Sequence, residues 1–260
     1  MPVQRKLGKR MPQEDRLCRT LKLGNYLNPS MLPPIPAVQR WDKGISQWGM
    51  MLNDTLGDCA IATPGHMVMG WTMAAKGGAI VIPDAQIQQA YSAISGYDPK
   101  TGENDNGCAV LDVLNYWRQS GIGGHNIQVY AQVMPKLPSQ VRAATFLFGN
   151  LYLGMALPAM MQTLGMMDSG EWIIPQQKIT DGSDEPYSLG GHAIPIVGYD
   201  LNWVYAVSWG DIAKVSWPFF AKYCDEAYAC IAQDWFKQTG VAPSGFNLTA
   251  LMKDLQIVSA

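Results

Sequence analysis

The spacing of apolar positions splits the chain into a helical half and a strand-rich half. From Cys59 to about Lys76, apolar and small residues run up to Gly77-Gly78, the stop expected of a helix. Ile87, Ala90, Tyr91 and Ile94 follow an i, i+3, i+4, i+7 pattern behind Asp84, read as its cap. Val110, Val113, Leu114 and Trp117 repeat the pattern before Gly121, as do Leu248, Leu251, Met252 and Leu255 behind Asn247. The period then changes. Ile127, Val129, Ala131 and Val133 alternate, Leu151 to Leu157 is an apolar run, and residues 192–199 and 203–208 flank a polar turn, so these segments read as strands. Helices first and sheet afterwards predict an α+β fold of two lobes, a helical lobe followed by an antiparallel β lobe, rather than alternating βαβ units.

Residues 1–38 show no such period and end in a proline-rich stretch that favours extended backbone, so the chain divides into an N-terminal arm, 1–38, and a body, 39–260. The 48% hydrophobic and 15% charged composition supplies a core and argues against disorder. Charge is uneven. Residues 1–24 hold seven basic groups against Glu14 and Asp15, which makes the arm +5 and leaves −7 on the rest of a chain of net −2. An acidic protein face, on the body itself or on a neighbouring subunit, suits the arm better than nucleic acid, because no aromatic residue interrupts the basic ones. No apolar run follows the N-terminus as in a secretory signal, and residues 146–161 are too short and too broken by Gly149, Gly154 and Pro158 to span a membrane. The expected location is the cytoplasm of a bacterial host or a virion.

Five cysteines without a Cys-x-x-Cys pair predict free thiols, with neither a disulfide framework nor a metal site, and nothing calls for a cofactor. The acidic loop 98–107 lacks the ligand spacing of a calcium-binding hand and reads as a solvated turn. One cysteine stands apart. Asn53-Asp54-Thr55-Leu56-Gly57-Asp58 leads Cys59 to a helix start, where free N–H groups and the helix dipole favour a thiolate; an adjacent Asp58 carboxylate would oppose it if the two side chains faced each other. Of three histidines, His66 lies roughly 10 Å along the same helix, too far for a base, and reads as a packing residue. His125 sits in a glycine turn and stays open as a base. His192 begins an apolar strand that can hold its ring rigid, and is the better candidate.

The stretch Gly191-His192-Ala193-Ile194-Pro195-Ile196-Val197-Gly198-Tyr199, with Ser208-Trp209-Gly210 after it, resembles the histidine strand and Ser-Trp-Gly of papain-like cysteine peptidases, and the Cys59–His192 interval of 133 residues is similar. Trp41-Asp42-Lys43-Gly44 resembles the approach to that family's nucleophile, and Asn106-Gly107 its glycine segment that binds substrate backbone. The resemblance implies a papain-like fold with Cys59 as nucleophile, His192 as base, Asn53 as oxyanion donor in place of the family's glutamine, Gly107 on substrate backbone and Trp209 shielding the imidazole. Where the family has the asparagine that orients its histidine, this chain has Val207, which accepts no hydrogen bond. Ser208 is the first choice for that role by motif position and Asp211 the second, both within reach of the expected hairpin register. A wider pattern, Gly57-Asp58-Cys59, Gly190-Gly191-His192-Ala193 and Tyr223-Cys224-Asp225-Glu226-Ala227-Tyr228, resembles uncharacterised proteins of bacteriophages and prophages.

Two functions follow as expectations. One is a cysteine hydrolase acting on peptide or amide substrates. The other is a weak or inactive papain-fold protein, a structural or virion component that docks through residues 1–38. An arm lying in the cleft would reconcile them.

Overall fold

The computed structural model describes residues 5–18, 20–25, 33–237 and 239–245; the helix expected behind Asn247 lies outside them. Among its described residues the arm carries a short helix, α1 (Glu14–Cys18), and a 3-10 turn at Leu23–Asn25, ahead of the two-residue strand β1 (Gln39–Arg40). The helical lobe follows: α2 (Cys59–Lys76), α3 (Asp84–Ser95) and α4 (Val110–Gln119). Asp84 is the first residue of α3 and Pro83 stands at the cap, because proline's fixed φ suits the extended cap and Asp84's charge suits the first turn.

Every residue of α2 from Cys59 to Thr72 is buried, which explains why its sequence shows no polar face. Pro64 lies within this helix and has no N–H for the Ala60 carbonyl. The Tyr152 hydroxyl donates to that carbonyl at 2.5 Å, so the sheet supplies the bond that proline removes.

The remaining elements are β2 (Ile127–Val133), α5 (Pro138–Phe148), β3 (Leu151–Leu157), α6 (Met160–Thr163), α7 (Met166–Ser169), β4 (Glu171–Trp172), β5 (Gly190–Tyr199), β6 (Trp203–Ser208), β7 (Asp211–Ser216), α8 (Trp217–Tyr223) and β8 (Cys224–Ala232). The strands form one sheet in the order β2-β8-β3-β5-β6-β7-β4, with β1 added to β5. All pairs are antiparallel except β4 with β7. Strand β3, held between β8 and β5, is buried throughout, so its unbroken apolar run has two faces to cover. α2 packs on β5, and this contact sets the start of α2 against the start of β5.

Candidate active site

Cys59 opens α2, and its buried Sγ lies 3.4 Å from the Ala193 N–H, which donates to it from the residue after His192. Upstream, Met51 and Leu52 both have positive φ (52° and 71°). Two adjacent bulky residues in the left-handed region are strained, and together they turn the chain so that Asn53 faces inward. The Asn53 Nδ2 donates to the carbonyls of Leu56 (3.2 Å) and Lys6 (3.3 Å).

The hairpin of β5 and β6 begins at Tyr199↔Val204 and, after a bulge, continues at Ile196↔Ala206. Extended by two residues, this register sets Ser208 diagonal to His192 on the same face. The Ser208 Oγ stands 3.0 Å from His192 Nε2, while Nδ1 has no hydrogen-bond partner among the described residues. Asp211 is exposed at the start of β7, and Val207 is buried in the core. Trp209 and Gly210 form the two-residue turn between β6 and β7, both with positive φ (47° and 78°). Such a turn prefers asparagine and glycine. The tryptophan takes it under strain, and its indole stacks on the His192 ring at 4.1 Å and 12°.

The cleft between these elements is filled by the arm. Lys6 N–H donates to the Asn53 carbonyl (3.0 Å), Lys9 N–H to the Gly191 carbonyl (3.1 Å), and Cys108 exchanges backbone bonds with Gly8 (2.8 Å) and Arg10 (3.0 Å), which makes a parallel bridge between Lys9 and Cys108. Trp209 Nε1 donates to the Lys6 carbonyl (3.1 Å). Gly8 crosses against bare backbone: a Cβ on it would fall 1.6 Å from the Gly57 oxygen, and one on Gly107 would fall 1.7 Å from the Gly8 oxygen. Basic side chains fix the edges, with Arg5 on Asp168, Lys6 near Asp105, Lys9 on Asp225 and Glu226, and Arg16 on Asp112. The positive arm thus folds onto its own acidic body.

Burial pushes the Cys59 thiol up to about 11, with a smaller push from Asp58, against the pull of the Ala193 and Gly8 N–H groups and Lys9. Burial likewise lowers His192 to about 3, and His66 adds to the effect. Asp58 is itself raised to about 8 by burial, with Asp105 and Asp54 adding to it. Desolvation under the arm therefore opposes the thiolate expected from the helix start, and outweighs the helix N-terminus. His66 is a packing residue, hydrogen-bonded at 3.0 Å to the Gly49 carbonyl and edge-on to Trp48. His125 pairs with Asp234 instead of approaching Cys59. All five cysteines are free.

No protein-family model matches the sequence, and no curated protein matches it. Solved structures do. Xylellain, a cysteine protease from Xylella fastidiosa, superposes with a TM-score of 0.60 at 11% identity over 88% of this chain and 96% of that one. The proCathepsin B S9 of Trypanosoma congolense gives 0.56 at 9% over 87% of each chain, and the digestive procathepsin L 3 of Tenebrio molitor larval midgut gives 0.53 at 12% over 85% and 79%. The chain has a papain-like fold.

Within this papain-like fold the geometry brings together Cys59, His192, Asn53, Ser208 and Trp209, and leaves Asp211 at the rim. Gly107 lies against the arm, but the backbone bonds to the arm come from Cys108 beside it. Asp105 went unread in the sequence. Its Oδ1 accepts from the Gly57 N–H (2.8 Å) and the Tyr91 hydroxyl (2.7 Å), and so ties the loop 98–107 to the turn before Cys59. Its signal was a glycine-flanked acidic loop ahead of α4. A cavity of about 340 Å³ is lined in part by Arg5, Ser208, Trp209 and Asp211. Among the described residues, no helix is long and apolar enough to cross a membrane and no acidic, histidine and cysteine group is arranged to hold a metal ion.

Proposed function

We propose that the chain is a cysteine hydrolase of peptides or amides, held latent by its own residues 5–10. The observation that carries this reading is a peptide backbone hydrogen-bonded along the cleft directly over Cys59, beside a histidine with one ring nitrogen uncommitted. Nε2–H donating to Ser208 leaves the lone pair on Nδ1. Once the arm withdraws, Nδ1 takes the Cys59 proton as Sγ attacks the substrate carbonyl carbon. The Cys59 N–H and the Asn53 amide, released from Lys6, donate to the oxyanion. Collapse expels the amine, which takes the proton back from His192 and leaves a thioester. Water, losing its proton to His192, then releases the acid and restores the thiol.

Latency agrees with the neutral thiol and neutral imidazole of the covered site, and two of the structural neighbours carry "pro" in their names. The test is iodoacetamide alkylation across pH 5 to 8, with each cysteine followed by mass spectrometry, in the full-length chain and in Gly8→Ala, where the arm no longer fits. Cys59 is expected to be inert in the first and to outpace exposed Cys18 in the second, dependent on His192. A Cys59 no faster than Cys18 in Gly8→Ala sinks the reading. The alternative, a non-catalytic interaction or virion protein, is favoured by Val207 in place of the orienting asparagine, and gives alkylation indifferent to His192→Ala.

A further inference from the structure

The Lys9 side chain is fully buried, an arrangement that a lone ammonium does not tolerate. Its Nζ lies 2.8 Å from Asp225 Oδ2 and 3.2 Å from Glu226 Oε1, and donates to the Tyr187 hydroxyl at 2.7 Å. Burial works against the charge, but Glu226 and Asp225 outweigh it and hold Lys9 above its ordinary pKa. The two carboxylates are neighbours on β8, where a regular strand would send them to opposite faces. They reach one point because the strand bulges: Glu226 pairs with Gly154 and Cys224 with Met155, so Asp225 is the extra residue. Gly154 forms the floor, where a Cβ would come within 2.1 Å of Lys9 Cε. Tyr187 lays its ring 5.2 Å from the ammonium.

Every wall of this pocket belongs to the body, and the arm supplies only the occupant. Withdrawal of the arm, which the hydrolase reading requires, leaves Glu226 beside Asp225 with no cation between them. We infer that the pocket of Asp225, Glu226, Tyr187 and Gly154 receives a lysine or arginine side chain of the substrate, with Lys9 as its built-in surrogate. This inference rests on the hydrolase reading for its substrate but not for its chemistry of recognition.

The test uses the full-length chain carrying Lys9→Glu, which sets a third carboxylate in the pocket and expels the arm; full-length Gly8→Ala, which alters no pocket side chain, is the second protein. Peptide amides that differ only in lysine or norleucine, scanned through four positions before the scissile bond, are assayed for hydrolysis and for protection of Cys59 from iodoacetamide. At one position lysine is expected to be favoured roughly a hundredfold in both readouts, since norleucine leaves the buried carboxylates unpaired. Asp225→Asn with Glu226→Gln is expected to bring that ratio close to one. Hydrolysis of both peptides at equal rates overturns the pocket while the hydrolase stands. Lysine-dependent protection without hydrolysis overturns the hydrolase while the pocket stands. Equal protection by both peptides, or none by either, overturns the pocket.

Discussion

Ser208 Oγ stands 3.0 Å from His192 Nε2, while Val207, one residue earlier, is buried in the core. A hydroxyl thus meets Nε2, and Nδ1 is left without a partner among the described residues. In the arm-displaced chain, Ser208→Ala is expected to slow hydrolysis about ten- to a hundredfold, and Ser208→Thr to restore most of it, because a hydroxyl still fixes the tautomer. The kcat values of the three proteins check this; equal values would deprive Ser208 of any positioning role.

Gly8 has no room for a methyl group, because the atom it would strike is a backbone oxygen that cannot swing aside. Gly8→Ala should therefore lift residues 6–10 from the cleft without touching the core of the body. Limited trypsin digestion is the check. Cleavage after Lys9 and Arg10 should rise at least about tenfold over the native chain, whose Lys9 is buried.

Tyr152 replaces the hydrogen bond that Pro64 takes from the first turn of α2. Tyr152→Phe leaves the Ala60 carbonyl buried and unpaired, at a cost of about 1–2 kcal/mol. Urea unfolding should show this loss in the midpoint at constant slope.

His66 is buried and its pKa is lowered to about 4, by burial above all, from 6.5. As the pH falls through 6.5 the unfolded chain takes up this proton and the folded chain does not, so stability declines until about pH 4 and then levels off. Between pH 7 and pH 5 the loss from His66 alone is about 2 kcal/mol. His66→Gln should lose that much less than the native chain over the same interval in urea unfolding. A parallel decline in both proteins would contradict the buried neutral ring.

Helices α2 to α4 and strands β2, β3, β5 and β6 could be read directly, because burial on one face writes a period into α3 and α4 and burial on two faces writes an unbroken run into β3; α5 to α8, which interrupt the expected run of strands, could not. The placement of Cys59 at a helix start and of His192 on a strand was legible for a similar reason: a glycine-led helix start and a glycine-led strand are local signals. What was not legible depends on distant segments meeting. Asp84 looked like a cap because the sequence cannot show that Pro83 holds that position. Lys9 looked like one of seven arm cations, since its pocket needs the bulge at Asp225 on a strand over two hundred residues away. The reversal of the Cys59 pKa was hidden for the same reason, as burial under the arm is a property of the assembled cleft.

Strand β5 holds the arm twice, through the Gly191 carbonyl at the cleft and through the Tyr199 hydroxyl, which donates to the Pro36 carbonyl. The segment over Cys59 is therefore a tethered ligand, whose effective concentration is set by the length and stiffness of the chain that joins it to β5. A free peptide must outcompete that local concentration, not merely match the arm's contacts. One cut anywhere between Arg10 and Gln39 would convert the contest into an ordinary bimolecular one, in which dilution alone favours opening.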